Sequence, residues 1–261
     1  MQTACPYPQV FDGVAPAGRS IMKKYPNVPQ PFVLVVAAPA ATETPQPAEL
    51  CWDVRLFGPA VRFWPYVIHT FQQAGQEGIG QSRTRYDLRS VQDGLTGNLI
   101  WSEQTEQAAE PKIGEVPETT GLPERSVLRW RFVTPLRLKD DGCIMAEHIG
   151  GLALALAARR RHMILEHFYG TGADDPDPTS PETRVKLEES DFVTHDVQCH
   201  PWTVRRFSTR QRQTMDLDGI IGQATIEGPW SAVDPALAAL PVVHLGKATS
   251  FGLGRVQWEV L

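Results

Sequence analysis

The last 21 residues, 241–261, constrain the fold more than any other stretch and read PVVHLGKATSFGLGRVQWEVL. A loop containing three glycines leads into a short strand, residues 256–260, in which apolar and polar side chains alternate. Phosphate-binding P-loops and dinucleotide folds need a strand, a glycine loop and a helix in that order. Here the loop precedes the final strand and no helix follows, so the pattern argues against both nucleotide-binding folds.

The composition of this loop indicates what it could contact. Gly246, Gly252 and Gly254 allow positive φ and close approach to a partner, and Lys247 and Arg255 place a cation at each end. Free backbone N–H groups with flanking cations suit phosphate. A glycine-rich entry into a β-hairpin is the alternative, and the loop alone does not separate the two.

The distribution of charge favours an acidic ligand despite a net charge of −5. Residues 102–124 and 172–191 carry −5 each, and their Pro, Thr, Ser and Gly content is typical of loops. The remaining chain therefore carries +5, which fits a local nucleic-acid-binding face, although such an imbalance also arises by chance.

Bulk composition excludes several classes of protein. With 42% hydrophobic and 21% charged residues, the 261-residue chain is expected to be globular. No apolar run reaches the roughly 20 residues that cross a membrane, and the N-terminal residues lack the features of a signal peptide. The four cysteines are widely spaced, which predicts reduced thiols in a cytoplasmic protein and no metal site.

The order of elements in the second half predicts a ferredoxin-like domain. Strands and helices are expected as β-α-β-β-α-β at 127–134, 146–169, 192–204, 215–226, 234–240 and 256–260. This order makes a four-stranded antiparallel sheet with helices on one face and the other face free. In its first strand, Leu128, Trp130 and Phe132 should face the core, with Arg129 and Arg131 outward.

The first half predicts an incomplete version of the same unit. Its elements follow the order β-β-α-β, with strands at 31–38, 50–56 and 84–91 and a hairpin partner at 98–101. Residues 1–30, which are rich in proline, show no clear period.

The glycine loop and several dispersed motifs resemble one known family. The pattern H-x-G-K-x-T-S-F-G-L-G-R before a terminal strand is similar to the C-terminal loop of CRISPR-associated RAMP proteins. More narrowly, it resembles the endoribonucleases that cut CRISPR repeat RNA into guide RNAs, the Cas6 family. Further matching motifs are Pro31-Phe-Val-Leu, Gly78-Ile-Gly, Thr134-Pro-Leu-Arg, the helix at 159–161, Arg205-Arg-Phe-Ser-Thr-Arg-Gln, and Gly219 with Gly222.

The resemblance implies an α+β fold of two tandem ferredoxin-like domains, the first lacking its leading strand and helix. The expected division is an irregular segment 1–30, an incomplete domain 31–101, an acidic linker 102–126 and a complete domain 127–261. The glycine-rich loop would lie before the last strand of the second domain.

The implied activity is endoribonucleolytic cleavage of repeat RNA beside a stem-loop, without metal or cofactor. A ribose 2′-OH attacks the adjacent phosphate and leaves a 5′-OH and a 2′,3′-cyclic phosphate. The partners implied are the repeat stem-loop, which the protein keeps after cleavage, and other subunits of a CRISPR ribonucleoprotein. One alternative is a catalytically silent RAMP subunit that binds the guide-RNA hairpin, and another is an RRM-like protein that binds single strands through exposed aromatic residues.

The predicted RNA-binding residues are mostly arginines, with the glycine loop. They are Arg129, Arg131, Arg159, Arg160, Arg161, Arg205, Arg206, Arg210, Arg212, His244, Gly246, Lys247, Gly252 and Gly254. Three consecutive arginines on a helix fan across some 200° of its surface at about 100° per residue, so not all of them can be buried. A solvated helix face, a basic hairpin and a loop-stabilising His244 are the structural alternatives.

The predicted catalytic residues are Arg19, Lys23 and Arg255. Many members of the family keep a catalytic histidine on the first helix of the first domain, and no such element is found in this sequence. Arginine and lysine can stabilise a charged phosphorane but are poor bases at neutral pH. Divergent members, including those of type IV systems, resemble this case, while a solvated N-terminus is the alternative for Arg19 and Lys23.

Overall fold

The structure is a computed structural model that describes residues 6–14, 27–37, 49–80, 82–105, 108–140, 143–144, 149–170, 185–208 and 212–261. Within these ranges, the N-terminal half contains two α-helices and two separate antiparallel strand pairs, β1 with β2 and β3 with β4. Its elements are α1 (Pro6–Val10), β1 (Phe32–Ala37), β2 (Cys51–Leu56), α2 (Trp64–Glu77), β3 (Ser90–Gln92) and β4 (Leu99–Ser102).

The C-terminal half contains a four-stranded sheet, two helices and a small hairpin. Its elements are β5 (Ser126–Leu136), β6 (Lys139–Asp140), β7 (Cys143–Ile144), α3 (Gly151–Tyr169), β8 (Val193–Ser208), β9 (Gln213–Gly228), α4 (Asp234–Val243) and β10 (Val256–Val260). The helix predicted from about residue 146 thus begins at Gly151, and the one predicted to end at 240 continues to Val243. None of the described helices is both long and apolar enough to cross a membrane.

The strand order of the large sheet is that of a ferredoxin-like domain. The spatial order is β10-β5-β9-β8, with each neighbouring pair antiparallel. The first and last of these four strands in sequence, β5 and β10, therefore lie side by side. Helix α3 connects β5 to β8, and helix α4 connects β9 to β10. The α+β class and the ferredoxin-like architecture expected of the second half are confirmed.

The core lies between this sheet and its two helices. Leu128, Trp130 and Phe132 of β5 are buried as their alternation predicts. The Trp130 ring contacts the Trp230 ring with centroids 5.2 Å apart, and the Phe192 ring contacts Trp230 at 5.1 Å. Burial of each large side chain contributes on the order of 2 kcal/mol, so this aromatic cluster holds the sheet and helices together.

The strand predicted at 84–91 is largely absent, because the chain there pairs with a helix instead of a strand. Only Ser90–Gln92 is a strand, and it pairs with β4. Upstream, the Tyr86 N–H donates to the Gly75 carbonyl at 3.2 Å, and its hydroxyl donates to Phe71 at 2.8 Å. These bonds to α2 take the place of a ladder between strands.

The N-terminal segment also differs from the irregular stretch predicted for it. Pro6–Val10 forms a short helix, Val14 bridges Asn27, and the Val28 N–H donates to the Gly13 carbonyl at 2.9 Å. Val10 and Val28 are buried, so this segment packs onto the strands that follow.

The acidic stretch predicted as a linker is anchored to the fold at two carboxylates. Asp93 accepts the N–H groups of Leu95 and Lys112 at 2.8 and 2.5 Å. Asp234, at the start of α4, accepts the N–H groups of Thr120 and Gly121 at 2.7 and 3.1 Å, together with hydroxyl groups of Thr119 and Thr120. Residues 112 and 119–121 are therefore fixed to the body of the protein.

The Asp234 clip predicts a pH-dependent contribution to stability. Burial alone would raise the pKa of Asp234, but the hydrogen bonds from Thr119, Thr120 and Gly121 together lower it. A lowered folded pKa stabilises the protein above the unfolded value of about 4, and this contribution disappears as the pH falls through the folded pKa. We expect Asp234→Asn to cost about 2 kcal/mol of unfolding free energy at pH 7, and almost nothing once wild-type Asp234 is protonated.

Urea denaturation at pH 7 and in steps below pH 4 measures this difference. Asp218→Asn, at an exposed carboxylate that accepts the Thr203 hydroxyl at 2.8 Å, is the control and should change stability by less than about 0.5 kcal/mol. An Asp234→Asn deficit that stays constant as the pH falls would contradict the role of the charge.

Candidate nucleic-acid interface

The glycine loop, residues 244–255, lies at the junction of the two halves of the chain. The Lys247 N–H donates to the Arg137 carbonyl and the Gly254 N–H to the Pro135 carbonyl, both at 3.0 Å. On its other side the loop passes β1, where a Cβ added to Gly252 would lie 2.5 Å from the Leu34 carbonyl oxygen. The loop therefore touches the end of β5 and a strand of the N-terminal half.

The glycine loop was predicted to offer free N–H groups to a phosphate, but most of its N–H groups are already hydrogen-bonded within the protein. Its N–H groups largely donate to oxygens of the protein itself, and those that do so belong to Leu245, Lys247, Phe251, Gly252, Leu253, Gly254 and Arg255. A phosphate at this loop would therefore be held chiefly by side chains. Gly246, Gly252 and Gly254, predicted to bind RNA, serve the close backbone packing of the loop.

His244 is fully buried beneath the loop, so its predicted contact with RNA is wrong. Its Nδ1 lies 3.2 Å from the Leu253 carbonyl, which can only accept, so Nδ1 carries the proton. The pKa of His244 is lowered to about 4, chiefly by burial and also by the neighbouring charges of Arg55, Arg255 and Arg161, against the opposing effect of the Leu253 bond. His244 is therefore neutral at pH 7 and stabilises the loop, which is the alternative that the sequence left open.

Arg161 faces inward, and its predicted place on the RNA-binding surface is also wrong. Its Nη2 donates to the Val243 carbonyl at 2.9 Å and to the Thr249 hydroxyl at 3.1 Å, and its Nε reaches the same carbonyl at 3.3 Å. Burial lowers the pKa of Arg161 to about 10, which leaves the group charged at neutral pH. Arg161 thus joins the last turn of α4 to the glycine loop.

A second arginine, not singled out by the sequence, also caps α4. Arg55 of β2 donates through Nη1 to the Pro241 and Val242 carbonyls at 2.5 and 3.3 Å, while Nε and Nη2 hold Asp53 at 3.0 and 2.8 Å. A positive charge at a helix C-terminus is favourable because it meets unpaired carbonyl groups there. The only sequence signal was an arginine on the polar face of an alternating strand.

The remaining arginines of the α3 triplet are oriented differently. Arg160 is exposed and Arg159 is partly exposed, and burial lowers the pKa of Arg159. Neither makes a hydrogen bond or ion pair to a residue that the structure describes. Their side chains are available to an external anion.

Three further cations lie where the end of β5 meets the glycine loop: Arg137, which follows β5, and the loop residues Lys247 and Arg255. Lys247 is bonded to Arg137 through the backbone, and the Arg255 N–H donates to the Thr134 hydroxyl at 2.8 Å. The Nε and Nη1 atoms of Arg137 are buried and have no described hydrogen-bond partner. Arg137 belongs to the Thr134-Pro-Leu-Arg motif, yet the sequence alone did not mark it as a binding residue.

The open face of the sheet is polar and carries the two strand arginines. Arg129 pairs with Glu259 at 2.9 Å, while the exposed Arg131 makes no ion pair with a described residue. Beside them on β9 lie Gln223 and Thr225, which alternate with buried residues. Among the described positions on this face of β5 and β9 there is no aromatic residue, contrary to what the RRM-like alternative requires.

Residues 202–208 of β8 and 213–219 of β9 pair with each other beyond the part of the sheet that contacts β5, and they form a two-stranded arm. Arg205 pairs with Asp216 at 3.3 Å, and Trp202 and Phe207 expose 38% and 62% of their surface. Arg212 is exposed at the turn. Arg206 lies on β8, paired with Met215 in the ladder, and Arg210 is outside the described residues.

Two predicted catalytic residues, Arg19 and Lys23, are likewise outside the described residues. Phe11 borders a cavity of about 270 Å³ together with Ser250 and Phe251. Of the predicted catalytic trio, only Arg255 can be placed directly, and it lies at the end of the loop.

The described part of the chain contains no cluster of three or more His, Cys, Asp or Glu side chains that could hold a metal ion. His195 lies 3.4 Å from Glu227 on the sheet surface, and burial lowers the pKa of His162 on α3. Cys51 and Cys199 are free thiols.

Two family models match separate parts of the chain. Residues 130–256 match the model of the CRISPR-associated endoribonuclease Cas6, and residues 1–113 match a model described as an N-terminal domain. No curated protein sequence shows significant similarity to the chain.

Among solved structures, a Cas6 product complex is 18% identical, with 88% of this chain and 82% of that chain covered and a TM-score of 0.53. A second Cas6 product complex is 16% identical over 88% and 85% with a TM-score of 0.48, and Thermus thermophilus Cas6 is 17% identical over 88% and 79% with a TM-score of 0.49. The first of these shows the shared fold. The match over residues 130–256 shows that the C-terminal half of this chain is similar to the CRISPR-associated endoribonuclease Cas6.

Proposed function

We propose that the protein cuts CRISPR repeat RNA beside a stem-loop without a metal ion and then keeps the hairpin. The observation that carries this proposal is the group of cations around the end of β5, Arg137, Lys247 and Arg255, whose side chains have no ion-pair partner among the described residues. Buried polar groups are nearly always hydrogen-bonded, so the orphaned Arg137 nitrogens call for a ligand. Arginine forks match phosphate oxygens in a bidentate manner.

In the proposed reaction the ribose 2′-oxygen attacks the adjacent phosphorus, and the bond from phosphorus to the 5′-oxygen of the next nucleotide breaks. Water accepts the 2′-hydroxyl proton and donates a proton to the leaving 5′-oxygen, which yields a 2′,3′-cyclic phosphate and a 5′-OH. Arg255 would stabilise the negative charge of the phosphorane, with Arg19 and Lys23 converging on the same phosphate.

We propose that the hairpin is gripped by the arm and by the exposed arginines of α3 and β5. These are Arg129, Arg131, Arg159, Arg160, Arg205, Arg206, Arg210 and Arg212. The arm adds exposed aromatic rings at Trp202 and Phe207, which can stack on bases. On this proposal the two domains comprise residues 31–101 and 127–261. The protein acts in the cytoplasm and binds other subunits of a CRISPR complex. Membership of a type IV system stays a prediction.

The second candidate, a silent hairpin-binding subunit, is favoured by one observation. His244 is the histidine of the glycine loop, and its burial removes the group best suited to act as a base at pH 7. Binding would use the same arginines, so the two candidates differ only in cleavage.

Incubation of end-labelled cognate repeat RNA with the protein in EDTA separates them. We expect cleavage with a cyclic-phosphate end, and we expect Arg255→Ala to slow cleavage by about 100-fold while weakening binding less than tenfold. Arg137→Ala should weaken binding by about tenfold, since a hydrogen bond to a charged group is worth about 1.5–3 kcal/mol. Arg19→Ala and Lys23→Ala should each slow cleavage.

Arg125→Ala removes the same charge from an exposed arginine that pairs with Glu227 at 3.3 Å, and it should behave as wild type. Normal cleavage by Arg255→Ala would refute the catalytic assignment. Tight binding with no cleavage by the wild type would select the silent subunit, and no binding of repeat RNA would remove both candidates.

A further inference from the structure

Two tyrosines of the N-terminal half present their rings to solvent. Tyr7 of α1 exposes 56% of its surface and Tyr66 of α2 exposes 49%. The hydroxyl groups of Tyr86 and Tyr169 donate to backbone carbonyls, at 2.8 and 2.5 Å. Within the described residues, the hydroxyls of Tyr7 and Tyr66 make no hydrogen bond. Each ring contacts one neighbouring ring, Phe11 at 5.6 Å for Tyr7 and Phe63 at 6.2 Å for Tyr66, and about half of its surface remains exposed.

Arg62 connects the two elements that carry these tyrosines. It lies in the 3₁₀ turn Gly58–Phe63 that precedes α2, and its guanidinium carbon sits 4.6 Å from the centroid of the Phe63 ring. Its Nη2 donates to the Gln9 side chain of α1 at 3.2 Å, and the Phe63 and Tyr66 rings lie 6.2 Å apart. The stacked arginine therefore lies between α1 and the first turn of α2.

The part of this surface that α2 and the preceding turn provide is also free of negative charge in sequence, although Asp12 lies one turn beyond Tyr7. From Phe57 to Gln76 there is no Asp or Glu, although the chain has 30 such residues. His69 follows Tyr66 by three positions on α2, so both lie on the same exposed face. The remaining polar groups there are mainly amides, such as Gln73.

We propose that Tyr7, Arg62, Tyr66 and His69 form a platform for single-stranded RNA, which takes the unpaired segment beside the hairpin. This inference rests on the proposed function and adds to it a second binding site in the N-terminal half. Flat rings and a stacked guanidinium bind bases of any sequence through their faces, and the absence of carboxylates from residues 57–76 reduces electrostatic repulsion of the RNA backbone on the α2 side. The hairpin is held elsewhere, by the arginines of the C-terminal half.

Two RNAs test the platform by fluorescence anisotropy in EDTA. One is the cognate repeat with its single-stranded 5′ flank, and the other is the same hairpin without the flank. Stacking is worth about 1–3 kcal/mol per base, so we expect Tyr7→Leu with Tyr66→Leu to weaken binding of the flanked RNA at least tenfold. Binding of the bare hairpin should change less than twofold.

The matched control is Tyr7→Phe with Tyr66→Phe, which keeps both rings and should bind the flanked RNA within twofold of wild type. Both tyrosines are exposed, so the double variants should keep the wild-type melting temperature. The platform is refuted if the flank adds no affinity to the wild type, or if the leucine variant binds the flanked RNA normally; either result leaves the proposed function standing. If the wild type binds neither RNA, the proposed function fails and the platform fails with it.

Discussion

Arg161→Met is expected to destabilise the protein by about 3 kcal/mol, because it removes a buried charged donor from two oxygens that have lost access to water. The Val243 carbonyl and the Thr249 hydroxyl both accept from this guanidinium. Methionine fills a similar volume, so the loss should come from the hydrogen bonds and not from a cavity. Urea denaturation followed by circular dichroism measures the change in the free energy of unfolding.

Arg160→Met is the matched control, since it makes the same substitution one residue earlier at an exposed position. It should change the free energy of unfolding by no more than about 0.5 kcal/mol while weakening RNA binding. Arg161→Lys should recover little of the lost stability, because one ammonium group cannot reproduce the fork. Equal stability of the Arg160 and Arg161 variants would show that Arg161 does not have the role assigned to it.

Gly254→Ala should also have a large effect, of about 4 kcal/mol. Gly254 has φ +71°, and a Cβ there would lie 1.8 Å from the Leu245 carbonyl oxygen, so the loop backbone has to move. The left-handed conformation costs a non-glycine residue roughly 1 kcal/mol, and forcing an extra carbon into a filled site costs up to about 3 kcal/mol more. Because Arg255 is the next residue, cleavage of RNA should fall together with stability.

Gly97→Ala measures the conformational part of that cost alone, so the difference between the two variants gives the steric part. Gly97 has φ +74°, almost the same conformation, but a Cβ there meets no atom within 4 Å. We expect a loss of only about 1 kcal/mol. If thermal or urea unfolding gave the two variants the same stability, close packing of the loop against Leu245 would not be the reason for glycine at 254.

Much of the C-terminal half could be predicted from sequence because its signals are periodic. Alternation in β5 identified the buried set Leu128, Trp130 and Phe132, and the β-α-β-β-α-β order was enough to give the ferredoxin-like sheet. The strand predicted around Tyr86 was wrong because a contact with α2 replaced strand pairing. A local pattern cannot reveal which distant element will take up its backbone groups.

The candidate site was harder to predict because a sequence does not show whether a charged side chain faces solvent or the core. Arg160 and Arg161 are neighbours in sequence, yet a turn of about 100° places one in solvent and the other in the core. His244 and the loop glycines matched a family pattern, but in this structure close packing of the loop already accounts for these residue types. The surroundings of Arg55 and Arg137 form only when the chain folds. Arg55 then donates to carbonyl groups at the end of α4, and two nitrogens of Arg137 are buried without a described hydrogen-bond partner.

The capping of α4 by Arg55 has a consequence for how the molecule can be divided. The last carbonyls of this helix are met by one arginine from β2 and one from α3, so helix α4 is completed by side chains from both halves. A C-terminal fragment beginning near residue 127 would keep its whole sheet but would leave Pro241 and Val242 without that partner, directly beside the glycine loop. If the two halves were expressed separately, their association would have to restore the hydrogen bonds from Arg55 to the end of α4. Without that association, we expect the glycine loop to lose its native conformation while the sheet stays folded.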